Sequence, residues 1–242
     1  MADYSYNQVT PELIEEFKKI VPGKVFTGDE INADYSHDEM PIYGKGAPTV
    51  LIEATTTEDI SAIVKLCFEN SIPVIPRGAG TGLTGASVAL HGGVMIDMSK
   101  MNKILEYDKE NFVVCVEAGV LLNDLAEDAQ KQGLLYPPDP GEKFATLGGN
   151  VSTNAGGMRA VKYGCTRDYV RAMTVVLPTG EIVKLGATVS KTSTGYSLLN
   201  LMIGSEGTLG IITELTLKLI PAPKETIDRK STRLNSSHHV VS

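Results

Sequence analysis

Nowhere in this 242-residue sequence do about 18 apolar residues run together, which excludes an ordinary transmembrane helix. The opening MADYSYNQVTPEL has no basic stretch followed by an apolar one, so it does not read as a secretory leader. Cysteine is scarce. Cys67, Cys115 and Cys165 are odd in number, far apart and without a C-x-x-C pair. That argues against a disulfide framework and for reduced side chains in a cytoplasmic setting. Basic residues fall short of acidic ones, 22 against 29, and the net charge of −7 argues against a nucleic-acid surface. An acidic chain that binds an anion must then rely on local donors, either backbone N–H groups or a buried arginine.

Pattern is also missing at the end. IDRKSTRLNSSHHVVS has no period, no turn logic and no apolar face. Its stretch Asp228–His238 reads like a translated sequencing adapter, so residues 228–242 are expected to be a non-native tail. The His238–His239 pair is accordingly not read as a metal site, and the natural protein is expected to continue beyond Ile227.

What is present is an alternation of short apolar segments with glycine-rich loops. Thr10-Pro11-Glu12 opens a helix with a hydroxyl cap and proline at its first position, and Leu13, Ile14, Phe17 and Ile20 form its apolar face. Residues 32–45 show no period and read as an irregular connection, with His37-Asp38-Glu39 as a solvated polar turn. Val50–Ala54 and Ile72–Pro76 read as parallel strands around a helix capped by Thr56 or Thr57, with Ile60, Ile63, Val64 and Cys67 inward. A third strand is expected at 93–98. Antiparallel pairs follow at 103–107 with 112–117 and at 173–177 with 181–185. A helix over 121–132 lies between these pairs. A short helix over 196–203 and a closing strand over 211–220 complete the pattern, and residues 136–164 give little regular signal. The fold class is α+β: a small parallel β-α-β unit, then a larger mixed sheet, breaking near 97–103.

Three glycine blocks carry the chemistry. The first holds Gly80-Thr81-Gly82-Leu83-Thr84-Gly85, a G-x-G-x-x-G. A nicotinamide-binding turn would need a helix opening at the last glycines. Here Gly92-Gly93 cuts the segment short, and Asp97 has no reason to reach a ribose. A ligand-free turn is the other plain reading, but four glycines cost backbone entropy that such a turn does not need. A run of bare glycines does expose consecutive N–H groups to an anion, and Arg77 could add charge or brace the loop. The second block, Thr146 to Gly157, follows the stiff Tyr136-Pro137-Pro138-Asp139-Pro140 and suggests a rigid wall against something flat. The third, Gly204 to Gly210, leads into the last strand.

The stretches PVIPRGAGTGLTG, YPPDPGEKFATLGGNVSTNAGG and IGSEGTLGIIT resemble the FAD-binding domain of vanillyl-alcohol oxidase / p-cresol methylhydroxylase (PCMH-type) flavoproteins. Within that family they are most similar to the glycolate oxidase D subunit and the FAD-linked D-lactate dehydrogenases. The resemblance implies residues 1–46 as an N-terminal helix and connection and 47–223 as the FAD-binding domain, with two subdomains of about 47–100 and 101–223. Arg77, Gly78, Ala79, Gly80, Thr81 and Gly82 would cradle the FAD pyrophosphate. Pro140, Thr146, Gly149, Asn150, Thr153, Gly156 and Gly157 would line the flavin and its ribityl chain. Glu206, Gly210, Ile211 and Ile212 would close the site. Some members bond FAD to a histidine of the first glycine loop; this loop has none, so non-covalent FAD is expected. The implied activity is oxidation of a D-2-hydroxyacid, D-lactate or glycolate, with electrons passed to an acceptor such as a partner protein. Other flavoenzyme chemistry on this fold (ether-lipid synthesis, cell-wall sugar reduction) and a flavin-binding module without turnover remain as alternatives. Family members carry their substrate-holding and proton-accepting groups in a cap domain, some with a metal. No residue of this sequence matches those groups, so no catalytic residue is assigned.

Overall fold

The computed structural model describes residues 6–40, 42, 44–191, 193 and 195–224. The tail from 228 onward lies outside the described residues. The first helix, α1 (Pro11–Ile20), starts where Thr10 accepts a hydrogen bond from the Leu13 N–H at 3.4 Å, and it buries Phe17 completely. It leads into a short strand, β1 (Val25–Thr27), that the sequence pattern did not show.

β1 forms the edge of a four-stranded sheet with β2 (Val50–Glu53), β3 (Val74–Arg77) and β4 (Val94–Asp97), in the order β1-β2-β4-β3. β2 and β3 flank helix α2 (Thr57–Glu69) and run parallel, but β4 lies between them, pairing Leu51 with Met95 on one side and Ile75 with Met95 on the other. The continuous apolar runs Val50-Leu51-Ile52 and Val94-Met95-Ile96 are buried throughout, as central parallel strands covered on both faces must be. α2 is capped by Thr56, which accepts from the Asp59 N–H at 3.0 Å, and turns Ile60, Ile63, Val64 and Cys67 inward at helical spacing.

The second sheet is antiparallel, with β5 (Ile104–Asp108), β6 (Val113–Glu117), β8 (Val170–Val176), β9 (Ile182–Gly186) and β10 (Ile211–Lys218) in the order β5-β6-β10-β8-β9. β10 comes last in the sequence yet takes the centre, with Leu215 opposite Val116 and Met173. Its ladder to β8 slips between Ile212 and Glu214, leaving Thr213 as the extra residue. Thr213 is wholly buried. Its hydroxyl donates to the Thr174 carbonyl at 3.3 Å and accepts from the Thr57 hydroxyl at 2.9 Å, which ties α2 to the second sheet. One continuous core joins Ile52 and Ile96 of the first sheet and Ile60 of α2 with Val116 and Leu215 of the second sheet and with Leu147.

Residues 136–164, expected to lack regular structure, contain two short helices, α4 (Leu147–Ser152) and α5 (Ala160–Tyr163). Two glycines in six residues hide α4 from a propensity reading. It forms because Thr146 caps it, accepting from the Gly149 N–H at 3.3 Å, and because Leu147 and Val151, one turn apart, are fully buried. The remaining elements are α3 (Leu122–Lys131), ended by Gly133 at φ +73°, the two-residue pair β7 (Leu134–Leu135) and β11 (Ile220–Pro221), and α6 (Leu198–Met202). Among the described residues no helix is long and apolar enough to cross a membrane.

Candidate functional site

The three glycine blocks meet around a single cleft of about 420 Å³. Its first wall is the loop that leaves β3 after Arg77. Its second is the segment from Pro140 through α4 to Gly156, and its third runs from Glu206 into the start of β10. Arg77, Gly78, Ala79, Gly80, Thr81, Gly82, Pro140, Thr146, Gly149, Asn150, Thr153, Gly156, Glu206, Gly210, Ile211 and Ile212 all line it. Gly157 does not. A Cβ at Gly157 would overlap the carbonyl of Asp139, so this glycine serves close packing of the chain against the proline-rich wall. Ile211 and Ile212 are neighbours in β10 and still both line the cleft, next to the Thr213 bulge that breaks the strand's regular alternation.

The first loop offers donors without acceptors. Among the described residues, the backbone N–H groups of Gly78, Ala79, Gly80, Thr81 and Gly82 hydrogen-bond to no protein atom. Five consecutive donors of this kind, beside a cleft, are the make-up that anion-binding concavities share. The second wall has a matching feature. Asn150 is 5% exposed, lines the cleft, and its side-chain amide has no protein partner among the described residues. Without a protein partner, this amide is open to a ligand in the cleft. The two walls touch closely: a Cβ on Gly78 would overlap the Thr146 hydroxyl.

Arg77 braces the loop. Its guanidinium donates to the carbonyls of His37 at 2.9 Å, Asp34 at 3.0 Å and Ser87 at 3.2 Å, and it lies 5.4 Å from the centre of the Tyr35 ring. Burial lowers its pKa, while Tyr35, Asp97, Asp38 and Asp34 counter that shift. Tyr35 in turn donates to Asp97 at 2.7 Å, and its phenol is pushed up by burial and by that carboxylate. Asp97 also accepts from the Ser99 N–H and hydroxyl at 2.8 and 2.9 Å. It is therefore spent inside the protein and is no ribose ligand, and no helix opens after Gly85. The G-x-G-x-x-G here is not a nicotinamide turn.

One residue of the cleft was misjudged from sequence. Asp38, expected in a solvated turn, is 4% exposed and lines the cleft. Its carboxylate accepts from the Gly85 N–H at 2.7 Å and the Met40 N–H at 2.9 Å. No periodicity marks a buried acid in an irregular connection, so the sequence carried no signal of it. His91 is exposed and packs on Tyr6. The three cysteines are free thiols, and among the described residues no group of histidines, cysteines and carboxylates is placed to hold a metal.

Comparison with known proteins agrees with this geometry. Over 227 residues the chain is 77% identical to a D-lactate dehydrogenase of Anaerostipes hadrus, covering 94% of this chain and 48% of that protein. It is 44% identical to the glycolate oxidase subunit GlcD of Bacillus subtilis (strain 168), covering 81% of this chain and 42% of that one. The chain spans about half the length of the curated relatives it matches. Among solved structures, an alkyldihydroxyacetonephosphate synthase superposes with a TM-score of 0.78 at 26% identity, over 91% of this chain and 46% of that one. The family model described as "FAD binding domain" matches residues 48–186, more than half of the chain and two of the cleft's three walls. With its paired sheets and its glycine loops around one cleft, the chain belongs to the FAD-binding domain family of the PCMH type.

Proposed function

We propose that this chain is the FAD-holding portion of an oxidoreductase that oxidises a D-2-hydroxyacid, D-lactate or glycolate, to the 2-oxoacid. The observation that carries the site is the run of N–H groups from Gly78 to Gly82, which among the described residues have no protein acceptor, in a loop that lines the same cleft as the Asn150 amide. A pyrophosphate has the charge and oxygens that this loop needs, and the Asn150 amide suits a polar edge of the isoalloxazine or the ribityl chain. Bound FAD supplies hydride-accepting chemistry. The protein's part is to hold it and to exclude water: Ile211 and Ile212 make an apolar floor, Thr146 and Pro140 a fixed wall, and Glu206 closes one side from a left-handed backbone conformation at φ +54°. No histidine lines the cleft among the described residues, in keeping with FAD held without a covalent bond.

The substrate class rests on the relatives. Those named D-lactate dehydrogenase reach 77% and 43% identity, whereas the ether-lipid synthase resemblance stands at 26–27%. The electrons then pass to an acceptor, for which a partner protein is proposed. The test is a chimera in which this chain replaces the matching half of the Anaerostipes hadrus protein. Anaerobic D-lactate or glycolate should bleach its flavin band. A chimera that holds FAD and is bleached by neither acid would overturn the reading of this chain as the FAD-holding portion of such an enzyme.

A further inference from the structure

Residues 34–40 touch the first glycine loop at four points. Arg77, at the loop's start, donates to the carbonyls of Asp34 and His37. The Glu39 N–H donates to the Gly82 carbonyl at 3.1 Å. The Gly85 N–H donates to the Asp38 carboxylate at 2.7 Å. Arg77 reaches over to Ser87 as well, closing the loop on itself. The segment is anchored in turn from behind, since the Tyr35 hydroxyl holds Asp97 at the end of β4. Two further bonds steady it: the Gly46 N–H donates to the Ser36 carbonyl at 2.9 Å, and the Asp34 N–H donates to the Asn32 side chain at 3.0 Å.

These contacts divide the loop's donors. The Gly85 N–H is taken by Asp38, while those of Gly78 to Gly82, in a loop that lines the cleft, meet no protein acceptor among the described residues. A buried carboxylate beside an anion site is unfavourable unless a cation balances it. Arg77, whose guanidinium feels Asp38 among its stabilising charges, supplies that balance while three of its donors are taken by backbone carbonyls. A flexible glycine loop would otherwise lose much conformational freedom on meeting an anion, and holding it beforehand removes part of that cost.

We infer that residues 34–40 act as a clamp that pre-forms the anion loop, with Asp38 as its positioning residue. This rests on the cofactor reading of the cleft. Asp38 binds no ligand itself; it fixes where the loop's N–H groups stand. Asp38→Asn keeps the shape and keeps one acceptor, enough for the Met40 N–H but not for Gly85 as well.

The experiment measures two things on the 242-residue chain, wild type and D38N. One is the FAD dissociation constant. The other is amide hydrogen exchange in the apoprotein, followed by mass spectrometry of peptides. The clamp predicts a rise in the constant of about tenfold, the worth of one charge-assisted hydrogen bond. It also predicts faster exchange confined to this loop and its clamp, at the Gly85 and Glu39 amides that bond across the two, with β8 and β10 as protected as before. Unchanged exchange in that loop would overturn the clamp, and so would faster exchange spread over both sheets, which is what general loosening gives. Should D38N fail to fold, Tyr35→Phe frees the clamp's rear anchor while keeping the ring under Arg77. It should show the same local pattern with an FAD loss of about threefold, and a wild-type profile in it would overturn the clamp equally. A wild-type chain that takes up no FAD would instead sink the cofactor reading, and the exchange result would still decide the clamp.

Discussion

Gly80 and Gly82 stand two residues apart in one loop, and the structure gives them different work. Gly80 has φ +74°, and a Cβ there would overlap the Arg77 guanidinium. Gly82 has no left-handed φ, and a Cβ added to it would meet no atom within 4 Å, yet it lines the cleft. Alanine at 80 takes on a left-handed conformation, at about 1–2 kcal/mol. It must also push aside a side chain that three carbonyls hold, and losing one such charged hydrogen bond costs about 1.5–3 kcal/mol. The total is about 2.5–5 kcal/mol, a fall in melting temperature of about 5–20 °C for a chain of this size. Gly82→Ala should leave the apoprotein as stable or raise it by about 0.4–1 kcal/mol, because the unfolded chain loses freedom. Its methyl group stands where the anion would lie, so FAD affinity should drop by about tenfold or more, the effect of one blocked contact. Calorimetry of both apoproteins and FAD titration of both variants separate these outcomes. A Gly82→Ala chain that binds FAD as tightly as wild type would refute the assignment of this loop to the anion.

Asn150→Ala removes a cleft-lining amide that has no protein partner among the described residues; FAD titration should show affinity down by about tenfold, with apoprotein stability changed by less than about 1 kcal/mol. Gly157→Ala should do the reverse. Its Cβ meets the Asp139 carbonyl away from the cleft, so urea melts should show a loss of about 1–3 kcal/mol, and FAD should still saturate whatever chain remains folded. The alkaline limb of stability should be steep. Burial pushes the Cys67 thiol up from 9.0 to about 12, and Tyr35, Tyr107 and Tyr136 are raised as well, chiefly by burial. The folded chain then holds these protons more tightly than the unfolded one, so stability is full below the ordinary thiol range and falls as pH rises from there toward 12. Urea melts at a series of pH values should show a smaller loss for Cys67→Ala than for wild type, and equal slopes would contradict the assignment of that loss to Cys67.

Much of the scaffold was legible because apolar spacing reports burial directly. Ile60, Ile63, Val64 and Cys67 gave α2, and Thr10-Pro11 and the Thr56-Thr57 pair gave two helix starts, of which Thr56 proves to be the cap, because capping chemistry is local. The glycine blocks pointed to one cleft because unusual backbone needs leave a compositional mark. What stayed hidden depends on partners distant in sequence. The order β1-β2-β4-β3 places β4 between two strands that precede it, and no short-range pattern encodes that insertion. α4 exists through its cap and two buried side chains, against the propensity of its own glycines. Asp38 reads as a surface acid until Gly85 is brought against it from 47 residues away. Gly157 looked like a cofactor glycine because packing glycines and ligand glycines are identical in sequence and differ only in what a Cβ would meet.

The central claim is that the cleft between the three glycine blocks holds FAD. Its most direct test is the visible absorption spectrum of the purified chain after incubation with FAD and removal of the excess. A yellow protein with a flavin band that survives desalting, and that releases its flavin on denaturation, is the predicted result. A colourless protein whose circular dichroism shows it folded would contradict the claim.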